Sequence, residues 1–323
     1  MNKTTLFWLL LIAALFAAPA SAQQGNVSEP ATPGNTVFTS VTFPEERVQT
    51  PTQADLYCAG FISKQLLPNA NYVAGGVATP LSTKFVNNDV IYLAGSGYVL
   101  GQKYSIIREL RDLNEYEMFP GQTALVKATG QPYAELGRVR VVDMRSKMAI
   151  AEVEFSCDPI NPGDLAVPYA DKPPVTFHPP VTFDRFAPAS GKLQGRILLA
   201  KDFDSQLGTG MKVYMNVGSS QGVKPGDYFR AVRSYSADLK DPVDSLSFKA
   251  STAEDTQKSP PTYEPGFLNR AKGPAIHVSE LPRRAVGEIV ILSTTQSTAT
   301  GMIVFALEDV HLGDQVELEE QQQ

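Results

Sequence analysis

The chain is poor in the residues that catalysis and nucleic-acid binding usually need: it has 3 histidines, 2 cysteines and 1 tryptophan in 323 residues, and a formal net charge of -6. The histidines, His178, His277 and His311, stand singly, without the paired spacing of a zinc site. The single Gly-x-Ser-x-Gly run, Gly218-Ser219-Ser220-Gln221-Gly222, is read as a turn and not as a nucleophile elbow, and no Gly-x-x-x-x-Gly-Lys-Ser/Thr phosphate loop occurs. No cofactor or metal is therefore expected, and the chain reads as a non-enzyme; a hydrolase with dispersed acids is the remaining catalytic alternative. There is no basic excess of the kind that draws nucleic acid, so none is expected as a partner. Beyond Ala18 no apolar run approaches the roughly 20 residues a helix needs to cross a bilayer, so no transmembrane segment is expected in the mature chain.

What is present begins with an export signal over residues 1–22. Lys3 is the positive n-region, Leu6 to Ala18 the apolar stretch and Ala20-Ser21-Ala22 the small-residue cleavage site. Cleavage after Ala22 removes Lys3 and no acid, which moves the net charge from -6 to -7. A periplasmic, secreted or outer-surface location follows. In such a compartment an even count of cysteines favours pairing, so Cys58 and Cys157 are read as one disulfide, with two buried free thiols as the alternative.

The strongest signal is internal repetition. Residues 136–165, LGRVRVVDMRSKMAIAEVEFSCDPINPGDL, align without a gap on residues 286–315, VGEIVILSTTQSTATGMIVFALEDVHLGDQ. Gly137, Ala149, Phe155, Gly163 and Asp164 recur as Gly287, Ala299, Phe305, Gly313 and Asp314. Upstream, residues 90–108 match residues 212–233 more loosely, pairing Tyr92 with Tyr214 and Arg108 with Arg233. Apolar residues alternate with polar ones at Val139, Val141, Ala149, Ala151, Val153, Phe155 and Cys157, the period of half-buried strands. The expected fold is all-β: two related small β-barrel-like or sandwich modules from a duplication, at 51–170 and 191–318, joined by a Pro-rich connector at 171–190. Residues 23–50 read as a flexible segment and 319–323 as a tail. Cys58 lies in an N-terminal extension without a counterpart in the second copy, and Cys157 occupies the core-facing position filled by Leu307 there. A bridge would staple the extension to the first module.

The connector repeats Pro-Pro-Val-Thr-Phe, and its Phe177, Phe183 and Phe186 favour a strap over a free linker. The insertions differ between copies: 109–135 in the first, 236–285 in the second, where disorder and partner contact are both open. Three features invite functional readings. Gly163-Asp164, Gly226-Asp227 and Gly313-Asp314 are read as structural turns ahead of metal or acid-base carboxylates. Arg138, Arg140, Arg145 and Lys147 are a solvated strand face or a contact stripe for a ligand or partner. Tyr92, Tyr98, Tyr104, Tyr214 and Tyr228 are read as core packing ahead of sugar stacking.

The run KVYMNVGSSQGVKPGDYFRAVR, with VGEIVILSTTQSTATGMIVFALEDVHLGDQVEL, resembles the C-terminal domain of the bacterial flagellar assembly protein T and related small β domains of LysM-type envelope proteins. The resemblance covers residues 212–235 and 285–318, with the first half as a weaker copy. It implies a non-enzymatic periplasmic β-barrel-like module within an envelope assembly. The insertion at 236–285 is longer than the pattern and the N-terminal half resembles no LysM module, so no flagellar role is carried over. The expected function is a non-catalytic envelope protein that makes protein contacts, with peptidoglycan or polysaccharide binding as the alternative.

Overall fold

A computed structural model describes residues 48–111, 116–178, 183–234, 257–263, 266–267 and 273–319. Residues 1–22, read as an export signal, most of the 23–50 segment and of the second insertion, and most of the 319–323 tail lie outside them. A capped turn of helix, α1 (Gln53–Tyr57), opens the described chain and leads into β1 (Phe61–Ser63). Then come β2 (Tyr72–Gly76), β3 (Val90–Ala94), β4 (Lys103–Glu109), helix α2 (Gln122–Thr129), β5 (Gln131–Arg145), β6 (Met148–Ser156) and β7 (Leu165–Pro168). The second half runs β8 (Gln194–Ala200), β9 (Gln206–Leu207), β10 (Lys212–Met215), β11 (Tyr228–Arg233), β12 (Thr262–Tyr263), β13 (Ala275–Ile276), β14 (Arg284–Thr294), β15 (Ala299–Ala306), β16 (Val310–His311) and β17 (Gln315–Leu318).

Both halves close into six-stranded antiparallel barrels with one topology. The first ring runs β5-β4-β7-β2-β3-β6 and closes through β5–β6; the second runs β14-β11-β17-β8-β10-β15. Reading one ring onto the other replaces each strand by its copy. The irregularities are copied too: register shifts at Ile106/Ile107, Arg138/Val139 and Val141/Asp143 recur at Ala231/Val232, Glu288/Ile289 and Ile291/Ser293. Bulges bend strands and increase their twist, so a repeated bulge pattern gives both rings the same curvature. Each interior is filled by inward-facing aliphatic residues, such as Val73, Leu93, Val139 and Val153 in the first barrel and Ile197, Val213, Ile289 and Ile303 in the second.

Two expectations shift in detail. The bulge that pairs Arg138 with Phe155 and Val139 with Val153 reverses the strand phase after Val153. Phe305 accordingly joins a cluster outside the second barrel, against which Leu307 packs, rather than its interior. Cys157 therefore sits at the junction of the modules and not in a core-facing place. The insertion 109–135 is also more than a variable loop. Phe119 enters the core cluster of the second barrel, under the Arg196 guanidinium at 5.2 Å, and the Gln122 side-chain amide donates to the Leu198 carbonyl at 2.9 Å. Gly313 is needed there twice: its φ is +95°, and a Cβ would lie 2.7 Å from the Phe119 ring.

Cys58 and Cys157 form the disulfide, with Cα atoms 5.7 Å apart. The extension it anchors is shared by both barrels. β1 adds to the edge of β5, with Ile62 opposite Pro132. On its other side, Tyr214 donates to the Ala59 carbonyl at 3.0 Å, Thr300 to that of Gly60 at 2.9 Å and Thr298 to that of Ile62 at 2.6 Å. Gly60 must be glycine, since its φ is +70° and a Cβ would collide with the Tyr214 hydroxyl and the Tyr133 carbonyl. The connector completes the joint. Lys172 reaches both Glu135 oxygens, at 2.6 and 2.7 Å, and the Leu56 carbonyl at 2.8 Å. Val175, Phe177 and Phe183 pack on the outer cluster of the second barrel, whereas Phe186 is 61% exposed and takes no part in the strap.

Candidate interaction surface

Because the barrels share a topology, each outward position on one has a counterpart on the other, and the pairs diverge in chemistry. Arg138, Arg140, Val142, Glu152 and Glu154 of the first barrel stand where the second carries Glu288, Val290, Leu292, Met302 and Val304. The apolar outer face of the second barrel is covered by Leu56 and Ala59 of the extension and by the connector. Its one acid, Glu288, is consequently 4% exposed, with Oε2 lacking a hydrogen-bond partner. Burial, reinforced by Glu319 and only partly opposed by Arg230, pushes its carboxyl up to about 8. The unfolded chain releases this proton near pH 4.5 and the folded chain keeps it. The contribution of Glu288 to stability is thus fully present below that value and is lost as pH rises toward 8. Glu288→Gln should flatten the fall and exceed the native protein at pH 8 by about 2 kcal/mol, the scale of an under-satisfied buried charge. Denaturant melts at pH 5 and 8 check this, and an unchanged pH slope in the variant would refute it.

The corresponding face of the first barrel has no such cover. The predicted stripe lies on it but divides in two. Arg138 and Arg140 bind the two oxygens of Glu154, each at 2.9 Å, and Arg140 also reaches Glu152 at 3.5 Å. Arg138 additionally lies over the Tyr169 ring at 5.2 Å. Those two arginines, with Lys103 at 3.5 Å from Glu154, share Glu152 and Glu154 in a strand-face network of exposed ion pairs that is worth little to stability. Arg145 and Lys147 instead occupy the tight hairpin between β5 and β6, where Ser146 has φ +54°. Arg145 is 77% exposed and pairs only with neighbouring Asp143, at 2.7 Å. Lys147 makes no ion pair among the described residues.

Beside this hairpin, Tyr92 and Ile150 face each other across β3 and β6 and point outward. With Met148 and residues 145–147 they line an open depression of about 400 Å³. The expectation of core packing holds for Tyr98 and Tyr104, which join the first barrel's cluster, but not for Tyr92. Its counterpart Tyr214 is buried, outside its barrel, by the extension. Tyr228 is likewise buried on the outside, stacked on His178 at 3.9 Å. The apolar members of this surface went unrecognised in the sequence because Met148 and Ile150 share the outward phase with Glu152 and Glu154. That phase reads as a polar face when the acids alone are weighed.

The three Gly-Asp pairs are turns, and two are more. Asp164 accepts the Asn161 amide at 2.6 Å and both Nε and Nη2 of Arg108 at 2.8 Å. Asp314 accepts the His311 amide at 2.8 Å and Arg233 Nε and Nη2 at 2.9 and 2.7 Å. In each copy the arginine also donates to the carbonyl five residues before its aspartate, Pro159 or Asp309. Asp227 accepts the Lys224 amide at 2.8 Å within its turn. Asp164 and Asp314 thus tie distant segments of the chain together, and Asp227 closes its own turn. Among the described residues, no three His, Cys, Asp or Glu side chains cluster so as to hold a metal ion. No protein-family model matches the chain, and no curated protein matches it.

Proposed function

We propose that this chain is an exported, non-enzymatic envelope protein whose joined barrels hold one outer face open for a protein partner. The observation that carries this reading is the divergence of equivalent faces. The second barrel's face is apolar and is covered by the chain's own residues 56–62, whereas the first barrel's is left open with Tyr92, Ile150 and Met148 grouped on it. Folding does not require that apolar group to stay bare, and exposed apolar clusters rimmed by polar residues mark contact sites. Export is supported by the leader of residues 1–22 and by a disulfide of the kind that persists in oxidising compartments. The resemblance to small envelope β domains supports the same assignment.

A photoreactive benzoylphenylalanine in place of Tyr92, introduced in cells and irradiated, tests the contact. We expect a crosslinked species of discrete mass that contains a second protein, and at least a fivefold lower yield on adding Ile150→Glu. Irradiation that yields no protein adduct, together with retention of the purified chain on insoluble peptidoglycan, would replace this reading with the glycan one.

A further inference from the structure

The end of the first barrel differs from the equivalent end of the second in a way that its fold does not demand. In the second barrel the hairpin between β14 and β15 reads Ser293-Thr294-Thr295-Gln296-Ser297-Thr298, with neither a charge nor a large apolar side chain. The amides of Ser219 and Ser220 in the neighbouring turn donate to the Thr295 and Gln296 carbonyls, at 2.9 and 3.1 Å, and both hydroxyls repeat those contacts. This end is polar and closed by its own hydrogen bonds.

In the first barrel the same two turns are apolar and cationic. Met144 and Met148 flank the β5–β6 hairpin at 47% and 42% exposure, with Arg145 and Lys147 between them. The adjoining β3–β4 loop presents Val99 at 50% and Leu100 at 63%. The loop is held beside the hairpin, since the Gly101 amide donates to the Val141 carbonyl at 2.8 Å and the Val141 amide to the Gln102 carbonyl at 3.0 Å. It is also braced from within. The Tyr98 hydroxyl donates to the Ala94 carbonyl at 3.0 Å, and the Tyr104 hydroxyl accepts the Val99 amide at 3.2 Å and donates to the Gly97 carbonyl at 3.3 Å. A Cβ built on Gly97 or Gly101 meets nothing within 4 Å, so the tip projects into open space.

We infer that this end of the first barrel docks on an anionic lipid surface, with Val99, Leu100, Met144 and Met148 entering the headgroup boundary and Arg145 and Lys147 meeting the lipid phosphates. Three features favour lipid over a second protein. Val99, Leu100 and Met144 sit on two protruding turns outside the depression at Tyr92, which Met148 alone of the four borders. The β3–β4 loop's backbone is tied internally and leaves no strand edge for β-addition. The charge also complements: the two turns carry Arg145 and Lys147 against Asp143 alone, on a chain whose overall charge is -6. A local positive end on an acidic protein orients it toward a negative surface, and shallow apolar tips with flanking cations give reversible, salt-sensitive attachment. This goes beyond the protein-contact reading, which concerns the side of the barrel at Tyr92. The two surfaces share Met148 and the hairpin residues 145–147, so docking would cover the edge of the Tyr92 depression.

The test is co-sedimentation with sucrose-loaded vesicles of phosphatidylcholine alone and of phosphatidylcholine with 30% phosphatidylglycerol. The protein is the chain from Gln23 onward, so that the apolar stretch 6–18 does not report in place of the tips. We expect binding to the anionic vesicles that weakens in high salt. Lys147→Glu should lower it about fivefold, as losing a cation near an anionic surface predicts, and Leu100→Asp with Met144→Asp at least tenfold. All three positions are exposed, and circular dichroism confirms that the variants fold. Absence of binding to either vesicle, or binding that the double tip variant retains in full, overturns the inference. So does a double variant that loses a Tyr92 protein crosslink while vesicle binding is unchanged. Failure with vesicles leaves the Tyr92 crosslink to be judged separately.

Discussion

Arg233→Met should destabilise the second barrel by about 3–5 kcal/mol, the range for removing one partner of a buried ion pair. Arg233 and Asp314 side chains are 7% and 4% exposed, and the guanidinium reaches both carboxylate oxygens and the Asp309 carbonyl. Losing the cation strands a buried carboxylate in a low-dielectric site. Losing the anion by Asp314→Asn also weakens the tie to the His311 amide that shapes the turn into β17. The first barrel supplies an internal control. Arg108 makes the equivalent contacts but is 31% exposed, so water partly replaces what the aspartate loses. Arg108→Met should therefore cost about 1–2 kcal/mol, as for a hydrogen bond to a charged group with solvent access. Urea unfolding followed by circular dichroism measures both, and the coupling between Arg233 and Asp314 can be isolated with the double variant. Equal costs at the two sites would show that burial does not set the difference.

Removing the bridge, by Cys58→Ser with Cys157→Ser, should cost about 4–5 kcal/mol. The cysteines are 99 residues apart, and closing a loop of about 100 residues restricts the unfolded chain by that amount in the chain-entropy account. The bond does more than close a loop. α1 packs Leu56 on the second barrel, and Cys58 ties the same segment to the end of β6 in the first. The double serine variant should consequently lose protection first at the joint, with amides of β1 and of Gly60 exchanging before those of either barrel core. Hydrogen exchange read by mass spectrometry checks this order. Uniform loss of protection in both barrels would mean that the bridge acts only through the unfolded chain.

The duplication was legible from residues 136–165 and 286–315 because strand phase and turn glycines are local properties. Alternation at Val139, Val141, Ala149 and Ala151 reports which side of a strand is buried, whatever buries it. The flanking strands were harder to read. β8 is buried along Ile197–Ala200 without alternation, and β2 contains Gly75 and Gly76. The four-residue β7 and β17 read as the ends of Gly-Asp turns. α2 starts from Gly121 at φ +83°, which has no side chain to cap with; Glu117 accepts the Gly121 and Thr123 amides instead, each at 2.9 Å, and this arrangement gave no helix signal. Arg108 and Arg233 were visible as matched positions, but nothing in their spacing told that each is bonded to an aspartate 56 or 81 residues on.

Composition and periodicity were enough to determine that this chain is all-β, that it is built twice, and that it has a cysteine pair suited to an oxidising compartment. Which copy's outer face is covered was decided only in the tertiary structure. Ile62 meets Thr298 across 236 residues of chain, and Gly60 meets Thr300 across 240. Such a contact depends on where two closed barrels place their surfaces, and no local pattern encodes that. Tyr92 and Tyr214 hold equivalent places in the repeat, and only the path of residues 56–62 makes one buried and leaves the other open.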